Sequence, residues 1–194
     1  MQHLTVGKVS GEERSSLLGQ KPVTVWLTGL SGAGKSTLAV ELERRLMDAA
    51  RPCYLLDGDN MRAGISRDLG FQPQDRHENI RRVAEIARLM NDAALIAITA
   101  FISPYRADRR MARDIVGAGR FIEVYLDAPL EICEQRDPKG LYRRARAGQI
   151  AEFTGVSAPY EVPEAPTLVL ATGRCGVEDC VAELYALVQE RIRL

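Results

Sequence analysis

The sequence predicts an α/β domain of three layers, in which a five-stranded parallel sheet is covered by helices on both faces and carries a lid segment. Three observations predict it. Apolar, β-rich runs alternate with helical patterns, the form taken by a parallel sheet wrapped in helices. A glycine-rich loop of the kind that cradles phosphate stands between the first strand and the first strong amphipathic helix. The length of 194 residues, 46% of them apolar, fits one compact domain with a substantial core and no second one.

In chain order, Met1 to Gln20 mixes charged, polar, Gly and Ser residues and reads as a frayed polar leader (residues 1–21) ahead of the domain proper (22–194). It lacks the apolar stretch of a signal peptide, and no segment approaches a membrane span. Strands are expected at Val23 to Thr28, Cys53 to Leu56, Leu95 to Ala100, Phe121 to Leu126 and Thr167 to Leu170. Lys35 to Ala50 places Leu38, Leu42 and Leu46 on one helical face, and Asp75 to Asp92 does the same with Ile80, Val83, Ala87 and Met90. A last helix, Val177 to Arg193, repeats the pattern through Val181, Leu184, Val188 and Ile192. Glu178 and Asp179 sit in its first turn, where the helix dipole favours acids.

The stretch from Arg136 to Ala165 does not read as core. It runs through Asp137-Pro138-Lys139-Gly140, a short basic helix with Arg143, Arg144 and Arg146, and a series of glycines and prolines. Such a polar excursion in a small α/β domain is a lid, about residues 136–163, or a disordered linker. A linker needs something after it, and only one strand and one helix remain.

Composition narrows the function. The 26 basic and 26 acidic side chains cancel, so no overall field favours nucleic acid or an anionic membrane, and any anion must be recognised locally. Only Lys8, Lys21, Lys35 and Lys139 are lysines; the other bases are arginines, the better fork for bidentate anion contacts. Cys53, Cys133, Cys175 and Cys180 lack metal-ligand spacing and read as reduced thiols of a cytoplasmic protein.

Gly29-Leu30-Ser31-Gly32-Ala33-Gly34-Lys35-Ser36-Thr37 matches GxxxxGK[ST] in the strand-to-helix context that the motif requires. Its glycines let successive N–H groups face inward toward the β- and γ-phosphates of a nucleoside triphosphate, and the following helix adds its positive end. Lys35 reaches those phosphates, Ser36 offers a hydroxyl to Mg²⁺, and Thr37 opens the helix beside the α-phosphate. A GTPase switch would need an Asn-Lys-x-Asp segment, which does not occur.

Past the second strand, Asp57-Gly58-Asp59-Asn60-Met61-Arg62 stands at a carboxyl end of the parallel sheet, where open α/β sheets bind ligands. One carboxylate can support a metal and the other can accept a proton from an attacking hydroxyl. Asp59 is the candidate base and Asp57 the support, with a helix cap at Asp59 or Asn60 as the plainer alternative. Arg62, Arg76 and Asn79 can converge on an anionic acceptor. Phe71 and Phe153, in glycine-flanked loops, are either platforms for a purine or anchors into the core. His3 and His77 read as solvent-facing, since phosphoryl transfer is mostly positioning and charge stabilisation.

Six strings, Gly29 to Thr37, Asp57 to Arg62, Arg67 to Phe71, Glu78 to Arg82, Ala100 to Arg106 and Arg136 to Tyr142, resemble adenylyl-sulfate kinases in order and spacing, and the resemblance runs from about Pro22 to the C-terminus. It implies transfer of the γ-phosphate of ATP, with Mg²⁺, to the 3′-hydroxyl of adenosine 5′-phosphosulfate. It also implies a homodimer and a functional link to ATP sulfurylase. By position, Asp59 would serve the 3′-hydroxyl, Arg62, Arg76 and Asn79 would hold the phosphosulfate, and Phe71 with Phe153 would sandwich its adenine. Lys139 would neutralise charge at the transferred group, although a lone lysine in an arginine-rich lid is also what a solvated surface looks like. Arg136 and Thr172 would flank the ATP base, and Ile102, Ser103 and Arg106 would orient the acceptor. Ser103 also occupies a place discussed as a phosphoenzyme site; direct transfer is the preferred reading, because no activating base is evident. Ala33, Ala63 and Ser66 depart from the family pattern. Another P-loop small-molecule kinase, for gluconate, shikimate or a nucleoside monophosphate, is the competing enzyme, and a regulatory nucleotide-binding module is the competing non-enzyme.

Overall fold

Every residue of β1 (Thr24–Thr28) is buried, because this strand lies at the centre of the sheet and is covered on both faces. The computed structural model describes residues 7–194, so His3 and the start of the leader lie outside the described residues. The other strands are β2 (Cys53–Asp57), β3 (Ile96–Ala100), β4 (Phe121–Leu126) and β5 (Leu168–Leu170). All pairings are parallel, in the order β2-β3-β1-β4-β5, and each strand starts and ends within a residue of its predicted span.

Alternation along the strands divides the core in two. Val25 and Leu27 point to the face covered by α2 (Lys35–Asp48) and α8 (Val177–Arg191), where they meet Leu38, Leu42, Leu46, Val181, Leu184 and Val188. Trp26 points to the opposite face, covered by α4 (Pro73–Asp92) and α5 (Arg106–Val116), and packs with Ile80, Val83, Ala87, Ala112 and Val116. Phe101 and Phe121 flank its indole at 6.1 and 5.5 Å between ring centroids. Burying each large side chain contributes about 1.5–3 kcal/mol. Three shorter helices, α3 (Gly58–Ala63), α6 (Leu130–Arg136) and α7 (Leu141–Arg146), surround the carboxyl ends of the strands. Among the described residues no helix is long and apolar enough to cross a membrane.

Two expectations change. The leader is not frayed over its described part: α1 (Gly11–Leu18) forms, with Ser10 and Glu13 in a reciprocal capping box. That helix buries none of its own residues. What ties it down is Gln20, fully buried, whose Nε2 donates to the carbonyls of Pro52 at 2.8 Å and Ala94 at 2.9 Å. The Lys21 N–H adds a bond to Ile192 O at 2.8 Å, so the domain includes residues assigned to the leader. The lid segment, for its part, is no disordered linker. Tyr142, Phe153 and Thr154 are buried, and a bridge joins Thr154 to Ala158.

Gln20→Ala leaves the buried Ala94 carbonyl without its side-chain donor and the Pro52 carbonyl with only the Ile96 N–H. It is expected to lower unfolding free energy by about 1–3 kcal/mol in urea titrations, with nucleotide binding unchanged.

Candidate active site

One cavity of about 1100 Å³ opens at the carboxyl end of the sheet. The phosphate loop forms its floor; the residues after β2 and β3 and the first turns of α4 form one wall, and the lid forms the other. Of the residues singled out in the sequence it brings together Ser31 to Thr37, Asp57, Asp59, Arg62, Phe71, Arg76, Asn79, Ile102, Ser103, Arg136, Lys139, Phe153 and Thr172.

The floor requires glycine. A Cβ on Gly29 would lie 2.8 Å from Leu126 O, and one on Gly32, at φ +77°, would lie 2.8 Å from Cys133 O. The chain can therefore run close to β4 and α6 only without side chains there. No side chain caps the start of α2, so its first N–H groups remain available for phosphate oxygens. Lys35 is buried and donates to the carbonyls of Gly29 and Leu30 at 2.9 and 2.7 Å. Burial pushes its pKa down to about 8.

Asp57 has both carboxylate oxygens engaged. Oδ2 accepts from Ser36 Oγ at 2.8 Å, and Oδ1 accepts from the Asp59 N–H at 3.0 Å, capping α3. The cap is thus Asp57, not Asp59 or Asn60, and this leaves the Asp59 side chain free of that duty. It pairs instead with Lys139 of the lid. Both partners are more than half exposed, so solvent screens the pair and it adds little to stability. Ser36 and Asp57 together present hard oxygen donors beside the phosphate floor, a set suited to a divalent cation of the magnesium kind.

On the wall opposite the lid, Arg62 Nη1 donates to Gly70 O at 2.8 Å and its guanidinium lies 4.3 Å over the Phe71 ring. Arg76 ties the same loop to the lid, donating to Phe71 O at 2.8 Å, Glu152 O at 2.7 Å and Thr154 Oγ1 at 2.9 Å. Burial first, and then the nearby Arg76 charge, lower the pKa of Arg62. Asn79 is buried with no partner for its Oδ1, an orphan polar atom in the cavity wall. Phe71 is exposed, as a platform would be, whereas Phe153 is buried and meets Tyr142 edge-on at 5.0 Å. Phe153 is therefore a core anchor that still lines the cavity.

Beside the phosphate loop, Arg136 donates to Thr172 O at 2.6 Å and Gly32 O at 3.3 Å, while Thr172 Oγ1 donates to Ala33 O at 2.8 Å. Both residues thus brace the phosphate loop from outside.

Two candidates sit differently from expectation. The Ser103 hydroxyl accepts from Trp26 Nε1 at 3.2 Å and is 3% exposed, because this side chain completes the hydrogen bonding of a buried indole. A catalytic role for that hydroxyl has no support in the geometry. Arg106 does not line the cavity: its Nε donates to Val162 O at 2.8 Å and its Nη1 to Glu164 at 3.0 Å. It holds the end of the lid instead of the acceptor. His77, half exposed, meets the buried Asp108 at 2.7 Å.

Sequence reasoning missed Tyr142, whose hydroxyl donates to Ser31 O at 3.0 Å, and Arg109, which is 3% exposed. The signal for Arg109 was present. It falls three and seven residues before the buried Ala112 and Val116, on the inward face of α5.

Comparison with known proteins agrees with this arrangement. The family model for adenylylsulphate kinase matches residues 21–171. The adenylyl-sulfate kinase of Marinobacter nauticus is 55% identical over 184 residues, 95% of this chain and 92% of that protein. The bifunctional enzyme NodQ of Rhizobium tropici is 60% identical over 171 residues, 88% of this chain but 27% of its own length. Among solved structures, the Mycobacterium tuberculosis APS kinase CysC in complex with AMPPNP and APS superposes with a TM-score of 0.84 at 44% identity, covering 87% of this chain and 98% of that one.

The depressed pKa of Lys35 gives a signed expectation. Bound phosphate favours the ammonium, which the free protein loses as pH rises through about 8. Triphosphate affinity should be full below that value and weaken above it, with proton uptake on binding near pH 9, measurable by calorimetry in buffers of different ionisation enthalpy. In the free protein the unfolded chain holds the Lys35 proton more tightly, so this residue's contribution to stability rises with pH between about 8 and the ordinary lysine value of 10.5.

Proposed function

The chain belongs to the adenylyl-sulfate kinase family, and from that premise we propose how its residues move the γ-phosphate of ATP to the 3′-hydroxyl of adenosine 5′-phosphosulfate. The overall reaction yields ADP and 3′-phosphoadenosine 5′-phosphosulfate. The observation that carries the assignment of roles is the meeting, across one cavity, of the Lys35 phosphate floor, the Asp59–Lys139 pair and the Arg62–Phe71–Arg76 wall.

The N–H groups at the start of α2 and the Lys35 ammonium grip the β- and γ-phosphates, and charge developing on the oxygens between them falls where those donors already point. Ser36 and Asp57 would hold Mg²⁺, which when bound neutralises phosphate charge. Asp59 takes the proton of the 3′-hydroxyl. To do so it must leave Lys139, whose ammonium then faces the transferred group; arrival of the triphosphate gives Lys139 a stronger partner than a screened carboxylate. Arg62 and Arg76 receive the phosphosulfate anion, and the exposed Phe71 ring receives adenine. Transfer is direct and in line, since the Ser103 hydroxyl is engaged by Trp26. The lid excludes water, which would otherwise take the phosphoryl group.

Magnesium as the metal, a dimeric state, a link to a sulfurylase and a cytoplasmic location complete the proposal. The first follows from the oxygen donor set, and the others from family membership.

Asp59→Asn should reduce turnover by about 10²–10⁴-fold, the usual worth of a general base, with ATP affinity within about threefold of wild type. Coupled ADP release and equilibrium nucleotide binding test this, and a variant with near-normal turnover would remove Asp59 from the role. Ser36→Ala should abolish the magnesium dependence of ATP affinity while leaving metal-free nucleotide binding in place. An unchanged magnesium response would dismiss the assigned metal contact.

A further inference from the structure

Behind the acceptor wall a buried guanidinium and a half-buried phenol converge on backbone atoms that do line the cavity. Arg109 donates to three elements: Glu123 of β4 at 2.7 Å, Ser103 O at 2.7 Å, and Glu161 O, where the lid returns to the domain, at 2.7 Å. Its guanidinium lies 5.8 Å from the centre of the Tyr160 ring. The Tyr160 hydroxyl is 2.9 Å from Thr28 Oγ1, and Thr28 Oγ1 in turn donates to Ile102 O at 2.7 Å. Thr28 has one proton to give, so Tyr160 is the donor of their bond. Burial keeps that phenol protonated, far above any working pH. Neither Arg109 nor Tyr160 reaches the cavity, whereas Ile102 and Ser103 do.

The backbone they hold does not rest there unaided. Ser103 has φ +38°, a left-handed conformation that costs a non-glycine residue on the order of 1–3 kcal/mol and persists only when its surroundings enforce it. With the carbonyls of Ile102 and Ser103 turned back toward Thr28 and Arg109, their N–H groups have no protein acceptor among the described residues. Glu161 completes the clamp, its N–H donating to Pro104 O at 2.9 Å and its Oε2 accepting from the Arg106 N–H at 2.7 Å.

We infer that Arg109 and Tyr160 are positioning residues for the acceptor: they enforce the Ile102–Ser103 turn, so that its two free N–H groups face the bound phosphosulfate nucleotide, and they fix the lid's return to that turn. This rests on the assignment of the Ile102–Ser103 wall to the acceptor. It predicts a selective defect, because Lys35, Ser36 and the donor floor are untouched by either side chain.

The test uses the full chain as Tyr160→Phe, which removes one hydroxyl, and Arg109→Lys, which keeps the charge but not the fork. Expected results are a KM for adenosine 5′-phosphosulfate raised about threefold in the first and about tenfold or more in the second, with ATP affinity by direct titration within about twofold of wild type. Should Arg109→Lys fail to fold, Tyr160→Phe decides alone. Equal losses for both nucleotides, a fall in kcat at unchanged acceptor KM, or wild-type values would each overturn the inference while leaving the kinase reading standing. A wild-type enzyme that phosphorylates a different acceptor would overturn both.

Discussion

The site depends on positive charge fixed in place before any ligand arrives. Lys35 is buried between two carbonyls, and the uncapped start of α2 adds its N–H groups beside it. Water cannot reorganise around these donors as it would around a surface lysine, so phosphate meets a field already oriented. That constraint dictates the neighbouring chemistry. Two carboxylates beside a triphosphate floor would repel the ligand unless each were answered, and each is. Asp57 is held by Ser36 and the α3 backbone, and Asp59 by Lys139 from the lid. The carboxylate proposed as the base is thus kept close to the floor at small electrostatic cost, and the cation that shields it is mounted on the lid segment.

How firmly that segment is held follows from its attachments. Cys133 and Tyr142, on either side of Lys139, are buried, and Tyr142 is bonded to the phosphate loop. Asp137 accepts from the N–H groups of Tyr142 and Arg143 at 3.1 Å each, and against partial desolvation these bonds and the nearby Leu141 N–H hold its carboxyl below the usual range. Further on, Arg76 grips Glu152 and Thr154. The lid is therefore fastened at several points, and the part with few buried contacts is the short turn carrying Pro138 and Lys139. Few buried contacts mark that turn, rather than a thirty-residue flap, as the part of the segment with the lowest local stability.

Strand positions and the faces of α2, α4 and α8 were legible because central parallel strands are continuously apolar and long amphipathic helices keep their period. The phosphate floor was legible because glycine, lysine and serine at those spacings have one strong physical use. The parts that escaped depend on tertiary partners. Gln20 looks like any polar leader residue until the carbonyls of Pro52 and Ala94, 32 and 74 residues away, are placed around it. Ser103 reads as a nucleophile or a ligand contact until Trp26 takes its hydroxyl. Arg106 and Arg109 are three residues apart in one arginine-rich helix, and only packing tells which is sunk into the wall and which reaches along the surface to the end of the lid. Phe71 and Phe153 were indistinguishable by composition and separate only by burial.

The size of the cavity bears on the order of events. A pocket for one small ligand is ~300–1,000 Å³, and about 1100 Å³ lies above that range. The lining divides accordingly: a phosphate floor braced by Arg136 and Thr172 at one end, and two arginines with an exposed aromatic ring at the other. A covalent phosphoenzyme is useful where substrates must occupy a site in turn, because the protein then carries the group between visits. With donor and acceptor assigned to opposite ends of the cavity, as proposed, the transfer has no need of that carrier. Since Arg62 and Arg76 stand close enough for one charge to disfavour the other, an anionic acceptor between them relieves a repulsion that a neutral sugar would leave in place. On the proposed roles, negative charge and a flat base are then selected by the same wall that aims the hydroxyl at the floor.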